Sequence, residues 1–255
     1  MLSEITTLRL RDLEFFTTDY DTDEWLTYDF INKSNWTKDI FLQWICDEKR
    51  LVKHQTTFYS LMGKRCVDII VSSFVIVFIL SWLIPVIATL IYLDSSGPFY
   101  FIQLRTGLKG KPFSCLKFRT MIHNLKETEF QQTLKNDSRV TSVGQFLRRT
   151  NLDEMLQFVN VFLGHMTLVG PRPHAIAHDT IYWASNNYRT RYAVKPGITG
   201  LAQIRGARGA TTHSQLMNDR VRYDRFYINK QTFILDIKIC IDTILMSFRG
   251  DAKAW

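Results

Sequence analysis

Cysteine is scarce in this chain, and its spacing excludes two classes of small protein. The cysteines are Cys46, Cys66, Cys115 and Cys240; no two of them form a CxxC pair, and no histidine cluster accompanies them. Disulfide scaffolds and structural zinc sites depend on such spacings. We therefore expect free thiols and a reducing compartment.

Nucleotide-binding signatures, internal repeats and low-complexity tracts are also missing. The chain contains neither GxxxxGK[ST] nor GxGxxG, so neither a P-loop nor a dinucleotide-binding Rossmann site is predicted. The lack of repeats argues against a solenoid. No apolar stretch follows Met1 directly, so no cleavable signal peptide is predicted.

Charge is unevenly distributed along the chain. Residues 1–48 hold four Lys/Arg and eleven Asp/Glu, whereas the whole chain has a net charge of +8, so the remainder carries +15. A basic body favours anionic partners such as anionic lipid or nucleotide phosphates, although solubility alone is an alternative reason for it. The basic residues form no recognised nucleic-acid-binding module, so nucleic acid is not a predicted partner.

One long apolar run distinguishes this chain from an ordinary soluble domain. Residues 67–93 are almost entirely apolar, which is long enough to cross a bilayer. Pro85 predicts a break in the helix, because proline removes a backbone donor and clashes with the preceding turn. Basic residues flank both ends of the run, and such residues favour the cytoplasmic side. A re-entrant helix and a simple transmembrane span remain open alternatives on these grounds.

Two basic residues and an acid lie at the start of this run, in the pattern Lys64-Arg65-x-x-Asp68. An acid at the mouth of an apolar helix is costly unless it is paired, and Arg65 lies three residues earlier on the same helical face. Anchoring of Lys64 and Arg65 at the lipid interface is the interpretation we favour.

The apolar run divides the chain into three parts. Residues 1–60 form an acidic, aromatic-rich accessory region that is predicted to be helical, residues 61–94 the membrane helix, and residues 95–255 a soluble domain. In that domain, alternating residues predict strands over Phe99–Leu104 and Pro112–Phe118. Helical spacing predicts helices over 120–135, Leu152–Leu163, 174–192 and Phe226–Arg249. Asn151 is the predicted N-cap of the second of these helices.

Adjacent carboxylates, Asp153 and Glu154, lie at the predicted start of a helix. A helix N-terminus stabilises negative charge, so one of them could act as a nucleophile on phosphorus. Acids are also common in the first turn of helices for electrostatic reasons alone.

Cationic side chains lie before and after these two acids in the sequence. Arginine suits phosphate because its planar fork donates two parallel hydrogen bonds. With the carboxylates they predict a site for a diphosphate and a magnesium ion, with Asp153 as a metal ligand. The predicted substrate-binding cations are Lys117, Arg119, Arg148 and Arg172.

In this order, the motifs resemble the bacterial sugar transferase family, the monotopic polyprenyl-phosphate phosphoglycosyl transferases. The matching motifs are Lys64-Arg65-x-x-Asp68, Gly97-Pro98 with Gln103-x-Arg105-x-Gly107, Lys117-Phe118-Arg119-Thr120-Met121, Leu152-Asp153-Glu154-x-x-Gln157, Val169-Gly170-Pro171-Arg172-Pro173 and Pro196-Gly197-Ile198-Thr199-Gly200-x-Ala202-Gln203. Each motif is weak alone, whereas six in fixed order after an apolar helix are specific.

The resemblance implies an α/β, mostly helical fold in which a re-entrant membrane helix joins a compact cytosolic catalytic domain with interfacial amphipathic helices. It implies that Asp153 attacks the β-phosphorus of a UDP-sugar and releases UMP. The phosphosugar then passes to undecaprenyl phosphate. Glu154 is implied to act as a base or to position the site, and Mg²⁺ is the implied cofactor.

The implied location is the bacterial inner membrane, with the catalytic domain on the cytoplasmic face in contact with membrane lipid. A catalytically silent scaffold of the same fold is the alternative function, and a homodimer is left open.

The chain departs from the family pattern at two places that bear on the site. Ile84 precedes Pro85 where the family has serine, and Ser81 is the nearest substitute. His165 stands where the family has an acid, in Gly164-His165-Met166-Thr167. We expect the histidine to be a surface replacement without a role in metal or donor binding.

Overall fold

The computed structural model describes residues 59–123, 137–176, 179, 182, 187–207, 209 and 214–249. Within these residues the protein is mostly helical, with two two-stranded sheets, as the predicted fold class requires. The predicted accessory region lies outside the described residues except for Tyr59 and Ser60. Most of the helix predicted over 120–135 also lies outside them, but its start is wrong, because Met121 forms a β-bridge with Val140.

The apolar run folds as one long helix, Lys64–Asp94, with a mean hydropathy of 2.8 in its most apolar window. Helix α1 spans Lys64–Val75, helix α2 spans Ser81–Asp94, and a π-helical turn, Ile76–Leu80, joins them. Helix α2 continues through Pro85. The π-helical turn lies before the proline. Proline has no N–H to donate to the preceding turn, and a break at Pro85 stays a prediction.

Ser81 completes the hydrogen bonding of this π-helical turn. Its backbone N–H donates to the carbonyl of Ile76, five residues earlier. The carbonyl of Val77 accepts from the Ser81 hydroxyl instead, at 2.7 Å. This bond satisfies a carbonyl that the π-helical turn frees, rather than the carbonyl that Pro85 leaves without its usual donor.

The long helix packs one side against the soluble domain and leaves the other side exposed. Leu80, Leu83, Ile87 and Ile91 are buried in a cluster with residues of the domain. The opposite side exposes large apolar side chains: Ile70, Phe74, Val77, Phe78, Trp82, Val86, Leu90 and Leu93. An apolar surface of this extent indicates an apolar environment outside the chain.

Both ends of this helix are bonded to the same domain. At the start, Arg65 Nη1 donates to the carbonyl of Val161 at 2.6 Å and Nη2 to that of Phe162 at 2.7 Å. At the end, Asp94 Oδ2 accepts from the backbone N–H of Val143 at 3.0 Å.

The basic pair and the acid at the start of the helix have partners other than those predicted. Asp68 is buried and accepts from the hydroxyl of Thr167 at 3.0 Å and the backbone N–H of Leu168 at 2.9 Å. Lys64 forms an ion pair with Asp236. The Arg65–Asp68 pairing is wrong, because Arg65 is engaged by the helix-end carbonyls. Interfacial anchoring by Lys64 and Arg65 stays a prediction.

The first sheet is the predicted hairpin, which begins after the long apolar helix. Strand β1, Tyr100–Thr106, pairs antiparallel with strand β2, Pro112–Phe118, across a short 3-10 turn. The register places Phe101 opposite Lys117 and Gln103 opposite Cys115. These residues therefore share one face of the hairpin.

The helix predicted over Leu152–Leu163 is broken into two elements. A 3-10 turn, Leu152–Glu154, precedes helix α4, Gln157–Leu163, and helix α3, Ser142–Arg149, lies before both. Asn151 has a φ of 55° and its side chain makes no cap hydrogen bond. The N-cap prediction is wrong because asparagine here takes the left-handed conformation that joins two elements tightly.

The second sheet pairs strand β3, Thr167–Val169, in parallel with strand β4, Gly197–Thr199. Ile176, Asp179 and Tyr182 are helical, but Asn187 has a φ of 61° and a 3-10 segment, Tyr188–Ala193, follows. The continuous helix predicted over 174–192 is therefore wrong.

The C-terminal part of the described chain is helical. Helix α5 spans Leu201–Ile204, α6 spans Ser214–Lys230 and α7 spans Phe233–Arg249. The prediction of one helix over Phe226–Arg249 misses the break before α7, where the Thr232 hydroxyl accepts from Leu235 N–H at 3.2 Å. Threonine is a favourable N-cap, so it starts a new helix there. The core lies between these helices and both sheets.

Candidate active site

The two adjacent carboxylates lie in the 3-10 turn between α3 and α4, where three separate segments meet. Strand β2 contributes Lys117 from its end, and the loop after β3 contributes Arg172. Lys117 Nζ donates to Glu154 Oε1 at 2.6 Å. Arg172 Nη1 donates to Glu154 Oε2 at 3.0 Å, and its Nη2 bonds Oε1. Both oxygens of Glu154 are thus held by cations.

Asp153 differs sharply from its neighbour. Its side chain is 12% exposed, and its nearest cation is Lys117, whose Nζ lies 3.9 Å from Oδ2. Among the described residues no hydrogen bond reaches its carboxylate, so its lone pairs are available to a bound group.

The electrostatic environments of the two carboxylates push their pKa values in opposite directions. Burial, together with the charge of Glu154, raises the pKa of Asp153 against the opposing effect of Lys117. Burial alone would raise the pKa of Glu154 as well, but the charges and hydrogen bonds of Arg172 and Lys117 hold that pKa well below its usual range. Two neighbouring acids whose pKa values shift in opposite directions are typical of functional sites.

Arg148 is positioned by a close approach between α3 and the end of the hairpin. A Cβ atom on Gly144 would overlap the carbonyl oxygen of Thr120, so only glycine lets the helix approach this closely. Arg148 Nε then donates to the Thr120 hydroxyl at 2.8 Å. The guanidinium lies within the field of Asp153, which opposes the lowering of the arginine's pKa by burial.

The loop that carries Arg172 is fixed by its contact with the second sheet. A Cβ on Gly197 would overlap the backbone nitrogen of Gly170, and Gly197 N–H donates to the carbonyl of Pro171 at 2.9 Å. Proline on each side restricts the backbone of Arg172 further. The guanidinium of Arg172 therefore reaches Glu154 from a rigid backbone.

Arg119, predicted to bind substrate, points away from the carboxylates. Its Nη2 donates to the carbonyl of Ser95 at 2.6 Å and its Nη1 to that of Ser96 at 2.7 Å. It therefore fixes the turn that follows the membrane helix. The structure brings Lys117, Arg148 and Arg172 to the carboxylates, and places Arg119 elsewhere.

Residues that were given no role in the sequence analysis support the same site. Arg105 Nη1 donates to the carbonyl of Pro173 at 2.7 Å, and its Nη2 donates to Gln103 Oε1 at 3.0 Å. Their spacing of two along a predicted strand, on the same face as Lys117, was a usable signal. Gln157 is 1% exposed, and its Nε2 has no hydrogen-bond partner among the described residues.

The donor set is compatible with magnesium bound jointly with a substrate. Among the described residues no group of three or more His, Cys, Asp or Glu side chains could hold a metal alone. Magnesium is often held by one or two carboxylates together with substrate phosphates. Asp153 offers such a carboxylate, whereas the oxygens of Glu154 are occupied by Lys117 and Arg172.

Comparison with known proteins agrees with the motif series. The sequence model of the bacterial sugar transferase family matches residues 59–250. A UDP-glucose:undecaprenyl-phosphate glucose-1-phosphate transferase of Klebsiella pneumoniae is 46% identical over 190 residues, which are 74% of this chain and 41% of the relative. A protein of the same name from Caulobacter vibrioides is 42% identical over 184 residues, 72% of this chain and 68% of the relative.

A third relative is comparable in extent to the chain itself. The exopolysaccharide production protein PSS of Rhizobium leguminosarum bv. phaseoli is 41% identical over 191 residues, which are 73% of this chain and 95% of the relative. By contrast, the chain spans about two fifths of the length of the Klebsiella and Escherichia coli relatives that it matches. The family match covers most of the chain and includes every residue of the site, and the chain therefore belongs to the bacterial sugar transferase family.

Proposed function

We propose that this protein transfers a sugar-1-phosphate from a UDP-sugar to a polyprenyl phosphate and releases UMP. The names of its relatives support both the nucleotide-sugar donor and the undecaprenyl-phosphate acceptor. The observation that carries the proposal is the division between two adjacent carboxylates, one held by cations and the other unbonded within the described site.

Asp153 is the nucleophile of the proposed reaction. One of its carboxylate oxygens forms a bond to the β-phosphorus of the donor, and the bond from that phosphorus to the bridging oxygen of UMP breaks. UMP leaves with the bonding electron pair, so the step needs no proton. A phosphate oxygen of the acceptor then attacks the same phosphorus and releases the carboxylate. The two steps separate a soluble donor from a membrane-bound acceptor.

Glu154 positions the cations rather than acting as a base. A base needs a free lone pair within reach of a proton, and both oxygens of Glu154 accept from Arg172 and Lys117. With these two side chains oriented and Arg148 nearby, three cations surround the place where the diphosphate reacts. Preoriented positive charge stabilises the charge spread over a phosphoryl group in the transition state.

Magnesium would be held by Asp153 and the donor's phosphates. When bound it would neutralise charge on the diphosphate and assist departure of UMP. Lys117, Arg148 and Arg172 keep their positions through protein contacts of their own.

The long apolar helix is proposed to enter the membrane and return to the same face. A spanning helix would place its ends on opposite sides of a hydrocarbon layer about 30 Å thick, whereas both ends bond one domain here. The exposed apolar side of the helix would face lipid. We place the domain on the cytoplasmic face of the bacterial inner membrane, where nucleotide sugars are available. A homodimer stays a prediction.

The test is to trap the intermediate on the purified protein. UDP-glucose, named in several relatives, is the first donor to assay, followed by other UDP-sugars. With donor and Mg²⁺ but no acceptor, mass spectrometry of the intact protein is expected to show a phosphosugar adduct on Asp153 and one equivalent of UMP. Asp153→Asn is expected to give neither while remaining membrane-associated.

Two results would contradict this proposal. UMP release by Asp153→Asn at the wild-type rate would exclude Asp153 as the nucleophile. Absence of turnover with any UDP-sugar and undecaprenyl phosphate would favour the membrane-tethered scaffold of the same fold.

A further inference from the structure

A buried ion pair lies behind the loop that carries Arg172, and the proposed reaction does not use it directly. Arg191 belongs to the 3-10 segment Tyr188–Ala193, and Asp224 belongs to helix α6. Their side chains are 1% and 2% exposed, and Arg191 Nε donates to Asp224 Oδ2 at 2.7 Å. This is the only described ion pair between lysine or arginine and an acid whose side chains are both this deeply buried.

The other two nitrogens of the Arg191 guanidinium contact the backbone of the Pro171-Arg172-Pro173 loop and the side chain of the next residue, His174. Arg191 Nη2 donates to the carbonyl of Arg172 at 2.7 Å. Its Nη1 lies 2.8 Å from His174 Nδ1. Nε and Nη2 of Arg191 therefore donate to oxygens of Asp224 and Arg172, and Nη1 faces the His174 ring. Arg172 and His174 belong to the segment that directs the Arg172 side chain at Glu154.

The same cluster reaches the glycine-rich segment after helix α5. Arg220 donates to the carbonyls of Ala207 at 3.0 Å and Gly209 at 3.1 Å, and its Nη1 faces His174 Nε2 at a distance of 3.1 Å. His174 thus lies between two arginines that hold different loops. The Tyr188 hydroxyl lies 2.6 Å from the same Nδ1 that Arg191 faces, and it donates to Asp179 Oδ1 at 2.5 Å.

Stability alone gives a weak reason for this arrangement. Removing two charges from water is costly, and replacing a buried ion pair by apolar residues is often neutral or stabilising in other proteins. A planar guanidinium that donates to the Asp224 carboxylate and to the Arg172 carbonyl, however, sets position and orientation in a way that apolar packing does not. We therefore expect the ion pair to fix the position of the loop that Arg191 contacts.

We propose that Arg191, oriented by Asp224, is a positioning residue for the transfer reaction: it fixes the backbone of Arg172 so that the Arg172 fork stays on Glu154 beside the nucleophile. The inference rests on the proposed function and adds to it a residue that touches neither the substrate nor the carboxylates of Asp153 and Glu154. Its effect on the reaction passes through Arg172.

The test is a double-mutant cycle between Arg191→Lys and Arg172→Ala, read as the single-turnover rate of UMP release per folded enzyme. Partners that orient site residues typically contribute about 10- to 100-fold. We expect Arg191→Lys to lower the rate by about tenfold or more in the wild-type background, with little further loss in Arg172→Ala, because the guanidinium to be positioned is then absent.

Asp224→Asn is the second variant, in case Arg191→Lys does not fold. It keeps the shape of the side chain and removes its charge. Asp236→Asn is the matched control, because Asp236 is a buried acid paired with Lys64 rather than with Arg191. Thermal unfolding of each variant gives its folded fraction. We expect Asp236→Asn to change the rate of UMP release by the same factor with and without Arg172→Ala. Asp224→Asn is expected to lower the rate in the wild-type background and to have little further effect in Arg172→Ala.

Steady-state constants for the donor provide a second readout. Arg191→Lys is expected to change KM and kcat in the same proportion as Arg172→Ala does, to a smaller extent. An unchanged rate per folded Arg191→Lys enzyme, or losses that multiply fully with Arg172→Ala, would overturn the inference alone. Absence of UMP release by the wild type would overturn the proposed function and this inference with it.

Discussion

At the scale of single residues, the site depends on two neighbouring carboxylates in opposite environments. Glu154 is held by Lys117 and Arg172, so its ionised form is stabilised. Asp153 is at least as buried, and its nearest cation, Lys117, lies 3.9 Å away. One backbone step therefore separates an acid that stabilises the fold from an acid whose charge is costly to bury. A reactive group in an unfavourable environment commonly lowers the stability of the folded protein.

Replacing each acid by its amide is expected to affect stability with opposite signs. Glu154→Gln leaves two cations without their buried partner, and breaking a buried pair in this way costs about 3–5 kcal/mol. Asp153→Asn removes a charge that folding disfavours, so we expect an equal or higher unfolding temperature. Thermal unfolding of the detergent-solubilised proteins at neutral pH measures both. Destabilisation by both amides to the same extent would contradict the assigned environments.

The loss of stability caused by Glu154→Gln is expected to depend on pH. The pKa of Glu154 is lowered in the folded state from its ordinary value of 4.5. The stabilisation by this carboxylate is therefore fully present above that value and is lost as the pH falls below it, towards the folded-state pKa. Unfolding temperatures of wild type and variant should converge in acid. A constant difference across this range would show that the carboxylate does not titrate as assigned.

At the scale of secondary structure, breaks between elements position the site more than the elements themselves do. Asn151 in the left-handed region separates α3 from the turn that carries the acids, and Asn187 precedes the segment that carries Arg191. Gly144 lets α3 approach Thr120 and so places Arg148. These devices act through backbone conformation and close approach, which apolar periodicity does not reveal.

Gly144→Ala tests the close approach of α3. Its added methyl group has no space against the Thr120 carbonyl, so helix and strand end must separate and Arg148 loses its support. Overpacking of this kind costs about 1–3 kcal/mol, and we expect a lower unfolding temperature together with slower UMP release. Gln145→Ala, an exposed neighbour in the same helix, is the control and should change stability by less than about 0.5 kcal/mol. Equal behaviour of the two variants would refute the packing argument.

At the scale of the whole molecule, the long apolar helix packs directly against the candidate site. The buried side of the helix packs on Phe118, Leu147 and Leu156, which neighbour Lys117, Arg148 and the acids in sequence. Both helix ends are bonded to the domain. A lipid acceptor of the proposed reaction that meets the helix would therefore lie close to the site.

Labelling of single cysteines tests the path of this helix. Cys66 is exposed near its start and Ser96 is exposed beyond its end. One variant keeps Cys66 with the other cysteines replaced by alanine, and the other carries Ser96→Cys with all native cysteines replaced. A membrane-impermeant maleimide is expected to label both only after the inner membrane is opened, because both ends contact one domain. Labelling of one of them in intact spheroplasts would show a simple span.

The sequence by itself determined the apolar helix, the hairpin and the membership of Asp153, Glu154, Lys117, Arg148 and Arg172 in one site. These follow from residue type, local periodicity and motif order, which are properties of short segments. It did not determine the helix breaks at Asn151, Asn187 and Thr232, where a single residue takes a conformation or cap that its neighbours do not announce.

Only the tertiary structure decided which side chains meet. It separated Arg119 from the site, gave Arg65 and Asp68 different partners, and brought Arg191 and Asp224 together behind Arg172. The physical reason is that hydrogen bonds and ion pairs between distant segments depend on how the helices and sheets pack, and a short stretch of sequence carries no record of its neighbours in space.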